Sequence, residues 1–123
     1  MVYTAVVLDS ESVAKLKAPF AVPEGWAPRF HHMTINMGPA SIGPAAEMVG
    51  RDVELTVVSL ARNALVMAVG VQCSTPSLNV HKHITLAVNE LCGGTASMSN
   101  DLTEWTPVAP LVVRGVVAEV PPN

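Results

Sequence analysis

Residues 53–73, VELTVVSLARNALVMAVGVQC, decide the fold class of this chain. The stretch contains two apolar runs rich in valine, residues 53–61 and 64–73, separated by Arg62-Asn63. Runs of β-branched residues of this length predict strands, and the short polar break between them predicts a tight hairpin. Antiparallel β-structure is therefore expected at the centre of the fold.

Further strands are predicted on both sides of this hairpin, at residues 2–8, 30–37, 80–88 and 111–120, with Gly115 marking a bulge in the last one. A helix is predicted after residue 8, with Asp9 or Ser10 as its N-cap, and Pro19 ends it. Residues 95–105 are expected to hold a short second helix. These elements predict an α+β fold of about six strands and one or two helices, in a single domain that spans residues 1–123.

The composition excludes several classes of protein. Half of the 123 residues are apolar, 20 are valine and only 14% are charged, so the chain is neither disordered nor a coiled coil. With a net charge of −3, the chain lacks the positive field that binds long nucleic acids by their phosphates. No segment is typical of a signal peptide or a membrane span, and Cys73 and Cys92 are expected to be two buried thiols. We therefore expect a cytoplasmic protein that does not bind membranes or long duplexes.

One short pattern occurs twice. His32-Met33-Thr34-Ile35 and His83-Ile84-Thr85-Leu86 share the order His-x-Thr-apolar and lie 51 residues apart, each on a predicted strand. Side chains two residues apart on a strand point to the same face, so each histidine projects together with its threonine. The alternate residues are apolar and suit the core. If the two strands are neighbours, two imidazoles and two hydroxyls converge on one point.

This combination of groups suits a phosphodiester substrate. Two histidines can act as general base and general acid near neutral pH, because the pKa of free histidine lies close to neutrality. Two threonine hydroxyls can donate hydrogen bonds to the non-bridging phosphate oxygens, which gain charge in the transition state. The chemistry requires no metal and no other cofactor, so we expect a metal-independent phosphoesterase.

The paired motifs resemble those of the 2H phosphoesterase superfamily, which includes LigT-like RNA 2′,3′-cyclic phosphodiesterases. The resemblance implies a compact, two-lobed, β-rich α+β domain with a pseudo-twofold axis, in which each lobe contributes one His-x-Thr to a central cleft. It implies that His32 and His83 are catalytic and that Thr34 and Thr85 bind phosphate. It also implies hydrolysis of a 2′,3′-cyclic phosphate on a small nucleotide or an RNA terminus. A cyclic oligonucleotide, the substrate of phage members, is the alternative within the family.

This chain is shorter than common LigT-like proteins, which carry helices outside both lobes. The outer layer is therefore expected to be reduced or supplied by a partner subunit. The many valines on so small a chain also suggest a homodimer.

Other histidines admit plainer interpretations. A single histidine on a strand is usually a half-buried polar residue, and His31 alternates with the core residues Met33 and Ile35, which makes it structural. His81 shares the face of His83, so it either lines the cleft or lies at an exposed strand end. His81 and His83 would also be a common metal-ligand pair, with His31 or His32 as a third ligand. A metal-binding β-rich module and a non-catalytic nucleotide binder therefore stay open as alternatives.

Three aromatic residues are candidates for stacking on a base. Phe30 lies on the predicted face of His32, and Trp26 and Trp105 lie in loops near strand ends. Each of them also suits a core or lid position. Arg29 and Lys82 lie beside the motifs, where they would either help to hold a phosphate or remain solvated.

Overall fold

The structure is a computed structural model that describes residues 2–122. It contains one α-helix, α1 (Ser10–Lys17), and seven strands: β1 (Tyr3–Leu8), β2 (Ala27–Pro28), β3 (His32–Met37), β4 (Asp52–Arg62), β5 (Val66–Gln72), β6 (His83–Val88) and β7 (Thr106–Val120). Four short 3-10 turns occupy Ala40–Ile42, Ala46–Met48, Glu90–Cys92 and Ala96–Asp101. The strand and helix content confirms the predicted β-rich α+β class.

The strands form a single antiparallel sheet that closes on itself. Its order is β6-β3-β1-β7-β4-β5, and β5 pairs back with β6, so that six strands make a closed barrel. The two-residue strand β2 also pairs with β6. It lies on the same edge of β6 as β3, further along that strand. One continuous sheet forms, because β6 hydrogen-bonds to neighbours on both sides, whereas the family resemblance implied two lobes.

The hairpin at the centre of the sequence forms as predicted, between β4 and β5. Its turn lies slightly later than Arg62-Asn63. The Asn63 side-chain oxygen accepts hydrogen bonds from the backbone N–H groups of Leu65 and Val66, which fixes a turn over residues 63–65. Asparagine favours such turns because its short side chain can replace a backbone acceptor.

The predicted helix also forms, and Asp9 is its N-cap. The Asp9 carboxylate accepts a hydrogen bond from the backbone N–H of Ser12 at 2.8 Å, which satisfies one of the free donors at the helix start. Leu16 is fully buried in the main core, and Val13 and Phe20 pack against the same core. The second predicted helix, within residues 95–105, is instead the 3-10 turn Ala96–Asp101.

Two apolar clusters hold the fold together. The main core contains the inward-facing residues of the barrel strands, among them Val6, Met33, Leu55, Val69 and Ile84, all with no exposed surface. A smaller cluster contains Ala61, Val66, Ala68, Val88 and Leu102. Since Met67, Val69 and Val71 of β5 belong to the main core, Val66 and Ala68 face the opposite side, where the Ala96–Asp101 turn covers the sheet.

Gly115 does not form the predicted bulge. It pairs regularly with Leu8 of β1 and Val53 of β4. A Cβ atom at this position would lie 2.5 Å from the Val7 carbonyl oxygen. Glycine is therefore required by the close approach of β1 and β7.

The two thiols differ from the prediction as well. Cys73 is half-buried, whereas Cys92 is exposed in the turn after β6, and neither forms a disulfide. Within residues 2–122, no helix has the length and apolar character needed to cross a membrane.

Candidate functional site

The two His-x-Thr strands are neighbours in the sheet. β3 and β6 run antiparallel and pair at Met33 and Ile84, the residues at the second position of each motif. Both of these side chains are fully buried in the main core. The flanking histidines and threonines consequently project from the opposite, outer face of the sheet. This arrangement is the one that strand alternation predicted.

A groove of about 820 Å³ lies over this outer face. His32, Thr34, His83 and Thr85 all line it, so the structure brings the four predicted residues together. Its other walls include Tyr3 from β1, Met37 at the end of β3, Leu78 and Asn79 from the β5–β6 connection, and Ser97 and Asn100 from the Ala96–Asp101 turn. A groove of this volume is within the range of small-molecule sites.

The chain bulges immediately before β3, and this bulge changes the faces of two residues. Pro28 pairs with Ala87 and Met33 with Ile84, so residues 29–32 lie opposite only residues 85–86. The backbone N–H groups of Arg29 and Phe30 bond to the carbonyls of Leu86 and Thr85. His31 and His32 are thereby left as two extra residues in the strand.

Two predictions about this segment are wrong for that reason. Phe30 adopts a positive φ of 48° and its ring is buried in the main core, so it does not share the face of His32. His31 does not point away with Met33 and Ile35 but is exposed and lines the groove beside His32. A regular alternation of faces could not anticipate a left-handed residue followed by a two-residue bulge.

His83 is held by a backbone carbonyl. Its side chain is buried to 7% exposure, and its Nδ1 donates a hydrogen bond to the His81 carbonyl oxygen at 2.7 Å. Because a carbonyl can only accept, this bond fixes the proton on Nδ1 and leaves Nε2 as the nitrogen that gains or loses a proton. Burial lowers the pKa of His83, whereas the bond to the carbonyl opposes that shift.

His32 is held by another imidazole. Its Nδ1 lies 2.9 Å from Nδ1 of His31, and its ring centre is 5.0 Å from the ring of Tyr3. Burial, together with the nearby His31 and His83 rings, lowers the pKa of His32 to about 4. The imidazole is therefore neutral at physiological pH and free to accept a proton.

The two threonines differ in how firmly they are held. The Thr85 hydroxyl lies 2.8 Å from the hydroxyl of Ser99, a residue of the Ala96–Asp101 turn with 1% exposure. Ser99 can donate to Thr85 while the Thr85 hydroxyl donates into the groove. The Thr34 hydroxyl has no hydrogen-bond partner in the described part of the chain, but its backbone carbonyl accepts from Ser77 at 2.8 Å. That bond ties the β5–β6 connection to β3.

The remaining aromatic candidates and His81 lie outside the groove lining. His81 is exposed and stacks on Trp105, with ring centres 4.1 Å apart, which confirms its position at a strand end. Gly70 leaves room for this pair, since a Cβ there would approach both rings. Trp26 packs against the main core with the Arg62 guanidinium over its ring. Stacking of Trp26, Trp105 or Phe30 on a substrate base is thus not supported by their positions.

Few charges reach the groove. Arg29 lines it but is paired with Glu90 at 2.9 Å, and the Lys82 ammonium donates to the Cys73 carbonyl away from the groove. Among residues 2–122, no three His, Cys, Asp or Glu side chains are grouped so that they could hold a metal ion. The metal-ligand pair His81-x-His83 is also divided, because the His81 ring turns towards Trp105.

Sequence reasoning missed several residues of the site. The tandem His31-His32 was a visible signal for a second histidine in the groove, but Tyr3, Leu78 and Ser97 belong to no motif. They reach the groove because β1 adjoins β3 and two connections fold over the sheet.

Comparison of the chain with protein-family models, curated proteins and solved structures finds no match. The geometry of the groove is therefore the main guide to its chemistry.

Proposed function

We propose that this protein is a metal-independent phosphoesterase that hydrolyses a 2′,3′-cyclic phosphate on a nucleotide or an RNA end. One observation carries the proposal: the paired His-x-Thr side chains, 51 residues apart in sequence, line one face of a single groove. Two imidazoles and two hydroxyls around one point suit in-line attack on a phosphodiester. The resemblance of both motifs to those of the 2H phosphoesterases supports the same chemistry.

In the proposed mechanism, His32 is the general base and His83 is the general acid. His32 Nε2 takes a proton from water, and the water oxygen forms a bond to phosphorus. The bond between phosphorus and one ribose oxygen breaks, and protonated His83 Nε2 gives its proton to that oxygen. Thr34 and Thr85 donate to the non-bridging oxygens, which carry more charge in the transition state than in the substrate.

The assignment of the two roles follows from what holds each ring. The pKa of about 4 keeps His32 unprotonated, as a base must be. Burial lowers the pKa of His83, but the carbonyl of His81 opposes this shift by stabilising the protonated form that an acid requires. An anionic phosphate between the two rings raises the pKa of both histidines, which favours a protonated His83 in the complex.

The charges around the groove favour a substrate with one phosphate. Arg29 is the one lysine or arginine among the described lining residues, and it already pairs with Glu90. The several phosphates of a cyclic oligonucleotide would lack cations there. The free thiols of Cys73 and Cys92 suit a cytoplasmic location, which is part of the proposal. The homodimer stays a prediction, to be examined by sedimentation.

The decisive experiment measures hydrolysis of the four nucleoside 2′,3′-cyclic phosphates in the presence of a chelator. We expect turnover by the wild type and a loss of about 100-fold or more in His32→Ala and in His83→Ala. His81→Ala is the matched control, since that ring is exposed and lies outside the groove while its backbone carbonyl remains. Circular dichroism checks the fold of each variant.

The product isomer identifies which ribose oxygen leaves. A cyclic oligonucleotide is included as a competing substrate. A wild type inert towards every cyclic mononucleotide, or a His32→Ala variant as active as the wild type, would overturn the proposal.

A further inference from the structure

The strongest unassigned feature of the groove is the direct contact between its two adjacent histidines. The Nδ1 atoms of His31 and His32 are 2.9 Å apart, and the two rings meet edge to face at 82°. His31 precedes β3 and His32 is its first residue, and both belong to the bulge between the buried anchors Phe30 and Met33. Because both flanking side chains are fixed in the core, the backbone holds the two imidazoles against each other.

A nitrogen–nitrogen contact of this length requires one hydrogen atom between the two rings. In the neutral pair, either His31 or His32 supplies it, and the choice sets the tautomer of both rings. If His32 supplies the proton from Nδ1, its Nε2 carries a lone pair. If His31 supplies it, Nε2 of His32 carries the hydrogen and cannot act as a base.

We propose that His31 is a positioning residue that accepts the Nδ1–H of His32 and so keeps Nε2 of His32 free to take a proton from water. The inference rests on the proposed function for its chemical purpose, but the tautomer itself is a property of the free protein. His31 does for His32 what the His81 carbonyl does for His83. The two halves of the site thus use different acceptors for the same task.

The difference between the acceptors has a chemical consequence. A carbonyl cannot take up a proton, so the bond from His83 is fixed in direction. An imidazole can, so charge that builds on His32 as it accepts a proton is shared across the contact with His31.

Three substitutions of His31 separate the hydrogen bond from the charge. His31→Asn places an amide oxygen one bond from Cγ, where Nδ1 was, and can still accept from His32. His31→Gln places its amide one bond further out, and His31→Ala has no acceptor. All three remove the imidazole charge alike, so a difference among them reports the hydrogen bond.

We expect His31→Ala and His31→Gln to lose about tenfold to 100-fold in kcat with little change in KM, and His31→Asn to stay within about threefold of the wild type. The groups that face the His32 ring are His31, His83 and Tyr3. The loss of the His31 ring is expected to move the acid limb of the pH profile to higher pH in all three variants, and furthest in His31→Asn, because an amide oxygen that accepts the Nδ1–H of His32 stabilises its protonated form. Equal activity in the Ala and Asn variants would overturn the proposal.

Nitrogen-15 NMR of the histidine rings tests the tautomer without any substrate. Above the pKa of His32, we expect protonated Nδ1 and bare Nε2 in the wild type and in His31→Asn, and a shift towards the other tautomer in His31→Ala. A wild type with the hydrogen on Nε2 of His32 would overturn the inference even if the enzyme is active. The expected tautomer in a protein inert on cyclic phosphates would overturn only the proposed function.

Discussion

The pKa values of His32 and His83 depend strongly on the groups that surround each ring. Both have pKa values below the ordinary 6.5, and burial is the main cause in each case. Burial lowers the pKa of His32 to about 4, together with electrostatic repulsion from the His31 and His83 rings. For His83, the bond to the His81 carbonyl partly offsets the lowering of the pKa by burial.

These shifts predict the pH dependence of the proposed reaction. As the base, His32 must be neutral, so kcat/KM falls as the pH drops towards 4. As the acid, His83 must be protonated, so kcat/KM also falls as the pH rises through its pKa, which lies below 6.5. We expect a bell-shaped profile of kcat/KM with its maximum between about 4 and 6.5.

Stability must be followed over the same pH range. Both histidines bind protons more readily in the unfolded chain than in the fold, so the free energy of unfolding decreases as the pH falls from 6.5 towards 4. Far-UV circular dichroism at each pH separates this loss from the chemistry. An activity maximum above pH 8 would contradict the assignment of the two roles.

At the level of elements, period-two alternation identified the strands and the inward residues Met33 and Ile84 correctly. It failed where the backbone departs from a regular strand, at the positive φ of Phe30 and the two-residue bulge that follows. No residue in that segment is glycine, the usual signal for such a turn. The exposed His31 was consequently placed on the wrong face.

The last strand was predicted too short. The predicted strand begins at residue 111, after Pro107 and Pro110, two residues that cannot donate to a strand neighbour. β7 begins at Thr106, and its partner β1 reaches only from Gly115 to Val120. The early part of β7 therefore pairs with β4 alone: Pro107 lies opposite Ser59, and Pro110 falls where the register between the two strands shifts.

The connection between β5 and β6 offers a prediction about substrate binding. It is tied to β3 by the bond from the Leu78 backbone N–H to the Ile35 carbonyl, and it holds the Leu78 side chain 69% exposed in the groove wall. We expect Leu78→Ala to raise KM about fivefold at unchanged kcat, since it removes about 1 kcal/mol of apolar contact with a nucleoside.

Val80→Ala is the matched control for this change. Val80 lies in the same connection and is fully exposed, but it is absent from the groove lining. Neither substitution should alter the thermal stability. An equal rise of KM in both variants would show that the connection, not the Leu78 contact, determines binding.

At the level of the whole molecule, the charge of the chain predicts a small substrate for the proposed reaction. The chain carries a net charge of −3, and the Arg29–Glu90 pair leaves the groove with little excess positive charge. With about one phosphate contact, raising salt from about 50 to 200 mM should lower kcat/KM less than about threefold. A ten-nucleotide RNA with the same cyclic end is expected to show a similar KM.

A matched pair of RNAs, one long and one short, tests this limit in a single assay. A loss of more than about 100-fold over the same salt range would indicate several phosphate contacts along a bound strand. That result would replace the terminal-phosphate interpretation with one in which the chain binds RNA along its length.

The pairing of Met33 with Ile84 joins two strands that are far apart in the chain, and it closes the barrel directly beneath the four site residues. Contacts between distant segments form late when a protein folds, because the intervening loop must first be ordered. The local hairpin of β4 and β5 can form without the site, but the site cannot form without this closure. Under the proposed function, regain of activity after dilution from denaturant would therefore report the final step of refolding, and a partly folded chain would give no catalytic signal.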